Sequence, residues 1–300
     1  MSFTDDFGEQ GFAINLEATT EIIRRFHNKL MHRRPIGWES LNPADYDEQT
    51  VEQARREWAS RAVAEYYSTS QFSQLTHRLC RLGAPVELIG ASTRLAVDEC
   101  RHAELCARVA DRLGGRTGYD VGQDSLSMFD DAEDEWLAAY RSILELCCFG
   151  ETISVPVLQA MHVISNNPVI EKICAIIAAD EGYHMNFGWE ALQWMTPNLD
   201  AQQRCQVRQS LPLVIAGFER VCSGGPEVIE QLAGQDLVIE EDEQPNLGSL
   251  TREQYAGIFY HCIEEDIFPR LENLGFDTAA IWRERLVEES PENGSVESLT

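Results

Sequence analysis

The sequence predicts an all-α protein, a four-helix bundle with additional helices at its N- and C-terminal ends. Three observations carry that expectation. Strand signals are weak, while long stretches repeat apolar residues three, four and seven apart. Gly, Pro and Asn punctuate those stretches where helices would stop and restart. There is also a two-fold echo: one pair of helices carries half of a polar pattern and the next pair carries the other half, with no solenoid-type repeat.

The elements follow in order. Residues 1–44 form a helical lead-in, with a helix from Leu16 to Met31 and a turn at Arg-Pro-Ile-Gly. Helix A runs from about Asp45 to Arg81 and stops at Gly83; helix B starts at Pro85, a good first-turn residue, and stops at Gly114-Gly115. After an acidic loop, helix C covers about Asp131 to Ser165, with a kink expected at Pro156. Asn167-Pro168 reads as the cap and first turn of helix D, which ends near Thr196-Pro197. Residues 45–197 are thus the bundle, and 198–287 are additional helices packing on it. These are Asp200 to Cys222, Thr251 to Asn273 and a short one near Ala279 to Leu286, with an acidic stretch from Ser223 to Gly248. Residues 288–300 read as a loose tail.

Composition narrows the partners. A net charge of −26 disfavours nucleic acid, whose binding draws on clustered Lys and Arg, and disfavours anionic membranes. No run approaches the apolar length of a membrane span, and the start Met-Ser-Phe-Thr-Asp-Asp lacks a secretory pattern, so a cytoplasmic location is expected. Nine cysteines include no C-x-x-C pair, so they read as small buried hydrophobes rather than zinc ligands.

Each bundle helix has an apolar stripe interrupted by one carboxylate. Helix A gives Trp58, Ala62, Glu65, Phe72, Leu75 and Leu79; helix B gives Leu88, Leu95, Glu99, His102, Cys106 and Val109. Helix C gives Leu137, Leu144, Glu151, Val155 and Leu158; helix D gives Ile170, Ile173, Cys174, Ile177, Glu181 and His184. Buried carboxylates cost several kcal/mol each unless paired or ligated, and these stripes contain no Lys or Arg. Two divalent metals would balance four glutamates. One Glu from each of two helices and Glu-x-x-His from each of the other two is the ligand pattern of di-metal sites in helical bundles. Both pairs follow an Asp, and Glu65–Glu99 and Glu151–Glu181 are 34 and 30 residues apart, as two similar hairpins require.

On these motifs, about residues 50 to 195 resemble the ferritin-like di-iron superfamily. Asp98-Glu99-Cys100-Arg101-His102 is similar to the D-E-x-R-H helix of bacterial multicomponent monooxygenases and acyl desaturases. The resemblance implies a centre of two Fe ions, with Mn or a mixed Mn/Fe pair suiting the same donors, held by Glu65, Glu99, His102, Glu151, Glu181 and His184. It implies that Asp98 and Asp180 orient the ligand imidazoles, with Arg101 in the same network. Asp180-Glu181-Gly182-Tyr183-His184 departs from that pattern by lacking the Arg. Cys106 stands where the radical-generating subunit of ribonucleotide reductase has its tyrosine. Ile177 stands where arylamine N-oxygenases of the superfamily carry an extra His.

The activity implied is that of a di-iron oxidase or oxygenase that activates O2 or peroxide to oxidise a small organic substrate, with electrons from an external donor. A ferroxidase or peroxide scavenger without organic substrate is the alternative, and a non-catalytic binding bundle the next. A homodimer is compatible with the class. Cys106, Cys147, Cys148, Ser154 and Val155 are candidates for a substrate cavity, against a plain packing role. His162 is about 16 Å along the axis from Glu151, too far to ligate. His261 could be an extra ligand, though a surface role is simpler, and Tyr66, Tyr140 and Tyr183 read as packing residues.

Overall fold

The computed structural model describes residues 11–17, 19–31, 35–126, 134–232, 239 and 244–286. The expected tail, the acidic run Glu240 to Glu243 and the first residues of helix C fall outside these. Among the described residues the chain is all-α apart from a two-residue pairing of β1 (Gly11–Phe12) with β2 (Val121–Gly122).

Helix α1 (Glu21–Met31) starts five residues later than Leu16. The local chemistry explains the shift: the Asn15 side chain accepts from the Glu17 amide, and the Thr20 hydroxyl accepts from the Ile23 amide as a cap. Helix α2 (Glu48–Arg81) likewise begins after Asp47, whose side chain takes the Thr50 amide at 2.9 Å. It ends at Gly83, which adopts φ +64. Helix α3 (Val86–Arg112) returns alongside α2, and this hairpin forms the first half of the bundle.

The second half starts with α4 (Glu135–Ser142), capped by Asp134, and passes without a break through a π-helical segment, Ile143–Glu151, into α5 (Thr152–Ile164). The irregularity expected at Pro156 therefore lies one turn upstream. Pro156 cannot donate to the Thr152 carbonyl, and the Cys262 thiol approaches that oxygen at 3.7 Å instead. Helix α6 (Pro168–Met195) is capped by Asn167, which accepts from the Val169 amide at 2.9 Å. Contrary to expectation, Glu135–Ile164 is long and apolar enough to cross a membrane by composition. Most of its apolar stretch is buried inside the bundle, as in a core helix.

The C-terminal helices cover the second hairpin. Helices α7 (Ala201–Ser223) and α9 (Arg252–Cys262) pack together, and α9 leans on α5. Both start with reciprocal capping boxes, Asp200 with Gln203 and Thr251 with Gln254. A short helix, α8 (Glu227–Leu232), occupies part of the stretch expected to be irregular. After α9 a second π segment, Ile263–Ile267, leads into α10 (Phe268–Asn273), followed by α11 (Thr278–Glu284). The core is continuous from the bundle into this layer: Trp58 of α2 donates its indole N–H to the Leu247 carbonyl at 3.0 Å.

Candidate metal centre

Four helices bring the six sequence-predicted ligands together. Glu65 comes from α2, Glu99 and His102 from α3, Glu151 from the end of the π segment, and Glu181 and His184 from α6. All six are buried, Glu99, His102 and His184 completely. Their donor atoms form two groups: Glu65, Glu99, His102 and Glu181 in one, and Glu99, Glu151, Glu181 and His184 in the other, each within 4.8 Å. Glu99 and Glu181 belong to both groups, and Glu65 and Glu151 to one each.

The distances describe an inward-facing cage. His102 Nδ1 lies 3.3 Å from Glu181 Oε1, 3.7 Å from Glu99 Oε1 and 3.8 Å from Glu65 Oε2. His184 Nδ1 lies 2.7 Å from Glu181 Oε2, 3.0 Å from Glu99 Oε1 and 3.8 Å from Glu151 Oε1. Among the described residues, both Glu99 oxygens, Glu181 Oε2 and the two Nδ1 atoms have no satisfactory hydrogen-bond partner. Buried polar atoms without partners are rare and costly. Here they converge from four helices with oxygen and imidazole donors, a set that fits two divalent cations.

Protonation directions express the same crowding. Burial, reinforced by the charges of Glu99 and Glu181, pushes Glu65 well above the usual carboxylate range. Burial and Glu181 do the same to Glu151. Burial also opposes the charged forms of Glu99 and Glu181, but the neighbouring imidazoles outweigh it and hold both low. Burial disfavours a charged His102, yet Glu181 and Glu99 raise it to about 10; His184 is also raised well above its ordinary value. Without cations, the cluster balances its charge with protons.

Around the cage lies a second layer, and its pairing is crossed. His102 Nε2 meets Asp180 of the opposite hairpin at 3.2 Å, and His184 Nε2 faces Asp98 at 3.6 Å. Arg101 donates to Asp180 and lies 3.9 Å from Asp98. The Arg missing from the α6 motif has a substitute on α3. Arg94 bonds Asp98 at 3.0 Å, lies 3.8 Å from Asp180, and stacks over the ring of Tyr183, the residue at the vacant motif position. The signal for it was an Arg four residues before Asp98, on the same helix face.

The apolar stripes themselves carry no Lys or Arg, but Arg61, one turn before Glu65 and beside its stripe, reaches in next to it, Nη1 to Oε1 3.8 Å. Cys106 is buried near Glu65, and Cys147 is buried on the Glu151 side. Cys147 and Cys148 press against α6 at Gly188, where a Cβ would come within 2.3 Å of the Cys147 Cβ. Ser154 and Val155 are half-buried. His162 bonds the Glu171 carbonyl, and His261 is exposed, so neither joins the cluster. Tyr140 is buried and shares a hydrogen bond with Thr196. A cleft of about 730 Å³ lies between α6, α7 and α10, lined by Trp189, Arg204 and Arg270 among others; none of the six clustered side chains lines it.

Fold and cage together define an all-α protein of the ferritin-like di-iron class. Within that class, a family model described as p-aminobenzoate N-oxygenase AurF matches residues 88–264, more than half of the chain, and the chain belongs to that family. It is an oxygenase of the di-iron type acting on an organic substrate with O2. Ile177, the residue at the position of the extra His of arylamine N-oxygenases, is fully buried on α6. No curated protein matches the chain closely enough to add a relative.

Proposed function

We propose that Glu65, Glu99, His102, Glu151, Glu181 and His184 hold two iron ions and that the centre oxidises a small organic molecule, with N-oxygenation of an aromatic amine as the reaction. The observation that carries the reading is the convergence of partnerless donor atoms into two groups that share Glu99 and Glu181. The family's name supports the nitrogen chemistry.

When bound, a di-iron centre supplies the redox chemistry that activates O2. The chain supplies the rest. Glu99 and Glu181, which belong to both donor groups, would be available to both ions, while Glu65 and Glu151 would each serve one. His102 and His184 present Nδ1 inward, with Asp180 bonded to the outer nitrogen of His102 and Asp98 facing that of His184, and Arg101 and Arg94 hold those aspartates in place. Buried Phe72, Leu95, Leu144 and Ile177 keep bulk water away. An external reductant in the cytoplasm completes the cycle. Residues 45–197 form the catalytic bundle, and 198–287 its covering layer.

The test is to load metal-free protein anaerobically with ferrous iron or manganese, count ions per chain, and then admit O2 with a panel of aromatic amines. The reading expects two irons per chain, and O2 uptake that tracks oxidised amine identified by mass spectrometry. Two irons without any amine-dependent product would favour a ferroxidase instead.

A further inference from the structure

The chain has 50 acidic residues against 24 basic ones, so a cation without an acid beside it is conspicuous. Arg204 and Arg270 are two such cations, both half-buried, and both line the cleft of about 730 Å³ between α6, α7 and α10. Among the described residues neither has a carboxylate within ion-pair range, whereas Arg208, one turn beyond Arg204, meets Glu284 at 2.7 Å. The Thr196 and Leu274 carbonyls accept from Arg204 at 3.2 and 3.4 Å, which places the guanidinium without cancelling its charge. Arg270 lies over the Trp189 ring, 5.4 Å from its centroid. Glu190 also lines the cleft, exposed and paired with neither arginine, and Asn186 and Asn273 add amides to the wall.

The cleft is wired to the cage without opening onto it. Trp189 is 4 % exposed and donates its indole N–H to Thr152 Oγ1 at 3.2 Å. Thr152 directly follows the cage residue Glu151 in the chain. Along α6, Trp189 is five residues past His184, about 7.5 Å by helix rise. None of the six cage side chains lines the cleft. An oxygenase fed by an external reductant needs such an arrangement, in which the reductant comes near but stays out of the chamber where the oxidant forms.

We propose that the cleft docks a phosphate-bearing reduced flavin of mononucleotide size, and that its electrons reach the cage across the Trp189–Thr152 contact. The inference rests on reading the cage as the oxygenase centre. Two guanidiniums match the nearly double charge of a phosphate monoester, where one suffices for a carboxylate. The cleft volume falls within the range of small-ligand sites. Two separate ferric ions each accept one electron, which a flavin gives singly and a hydride donor does not. The flavin hydroquinone loses two electrons, both ferric ions become ferrous, and two protons leave to water past the exposed rim of Asn186, Glu190 and Asn273. Trp189 is the path and is not itself oxidised. The covering layer thereby gains a role, since α7 and α10 supply the two arginines.

The experiment uses the full chain, metal-free and iron-loaded, with flavin mononucleotide, riboflavin and inorganic phosphate as probes. Calorimetry measures binding, anaerobic stopped-flow measures reduction of the ferric centre by each flavin hydroquinone, and iron per chain is counted. The mononucleotide should bind at least about 10-fold tighter than riboflavin with or without metal, the scale of a charge-assisted contact. Phosphate should displace it weakly, and the reduction rate should saturate with the mononucleotide hydroquinone. Arg204→Met combined with Arg270→Met should erase the preference between the two flavins while iron stays at two per chain. Arg204→Gln alone should remove part of that preference and supplies the test if the double variant does not fold. Trp189→Phe should keep mononucleotide binding and lower the saturating rate several-fold, because the link to Thr152 is gone.

Equal affinity for the two flavins, no saturable binding of either, or a reduction rate that stays proportional to flavin concentration would overturn the inference. Phosphate binding as tightly as the mononucleotide would overturn it too, leaving an anion site with no reductant. An unchanged saturating rate in Trp189→Phe removes the path. Two irons per chain and O2 uptake without mononucleotide preference sink this inference alone, whereas failure to take up iron sinks the reading of the cage and this inference with it.

Discussion

The chain buries carboxylates in two places and treats them differently. In the covering layer, Glu219 is 2 % exposed and fully provided for. Arg285 donates at 3.0 and 3.2 Å, and Tyr260 at 3.0 Å. Arg285 in turn packs over Trp282. In the bundle, Glu99 and Glu181 are as deeply buried, yet they face imidazoles and other carboxylates, and several of their oxygens lack a partner. The first carboxylate is neutralised by the protein's own cation and belongs to structure. The second pair is left for cations from outside, and belongs to chemistry.

The sharpest way to break that contrast is to remove one carboxylate from each region. Glu181→Gln should reduce iron from two per chain to well below one and abolish turnover, a loss beyond the 10- to 100-fold typical of outer partners. Its metal-free fold should be at least as stable as wild type, since a crowded charge is gone. Glu219→Gln should do the reverse: iron content unchanged, and stability to urea lowered by about 3–5 kcal/mol because Arg285 is left buried without its anion.

Next in size is the pH dependence of metal loading. Glu65 and Glu151 are raised and His102 stands at about 10, so the metal-free cage is protonated at neutral pH. Ligation must expel those protons, so affinity should climb with pH up to about 10, where His102 releases its proton. Calorimetry in buffers of different ionisation enthalpy should register proton release, and a pH-independent affinity would contradict the proton-balanced cage.

Asp180→Asn should cost about 10- to 100-fold in iron affinity by loosening His102 and freeing Arg101, with the bundle intact by circular dichroism. The smallest effect belongs to Cys262→Ala, which removes the thiol that meets the Thr152 carbonyl above Pro156. A loss of about 1 kcal/mol or less in thermal unfolding is expected, with no change in iron content.

The sequence made the cage legible because its polar residues break apolar stripes at helical spacing, and two repeats of Asp-Glu-x-x-His cannot hide in a regular pattern. Glu219 and Arg285 were not legible. They come from distant helices and meet only once α7 and the end of α11 are packed. Arg94 and Arg61 were readable in principle as i−4 neighbours of Asp98 and Glu65, but a long side chain placed at the edge of a stripe reads as solvent-facing. The π segment left no mark at all, since its composition is that of any buried helix.

That segment sets the two ends of the second hairpin apart. A π turn holds about one residue more than an α turn, so removing a single residue between 143 and 150 would let ordinary helical bonding re-form. Because both kinds of turn close a full circle, the helix upstream would keep its facing, and Glu151 would stay fixed by the helix that follows it, while the residues inside the segment shifted. Leu144, Cys147 and Cys148 would be exchanged for another facet as a block. The wall next to one metal position is thus adjustable by a one-codon change in length, with every ligand left in register.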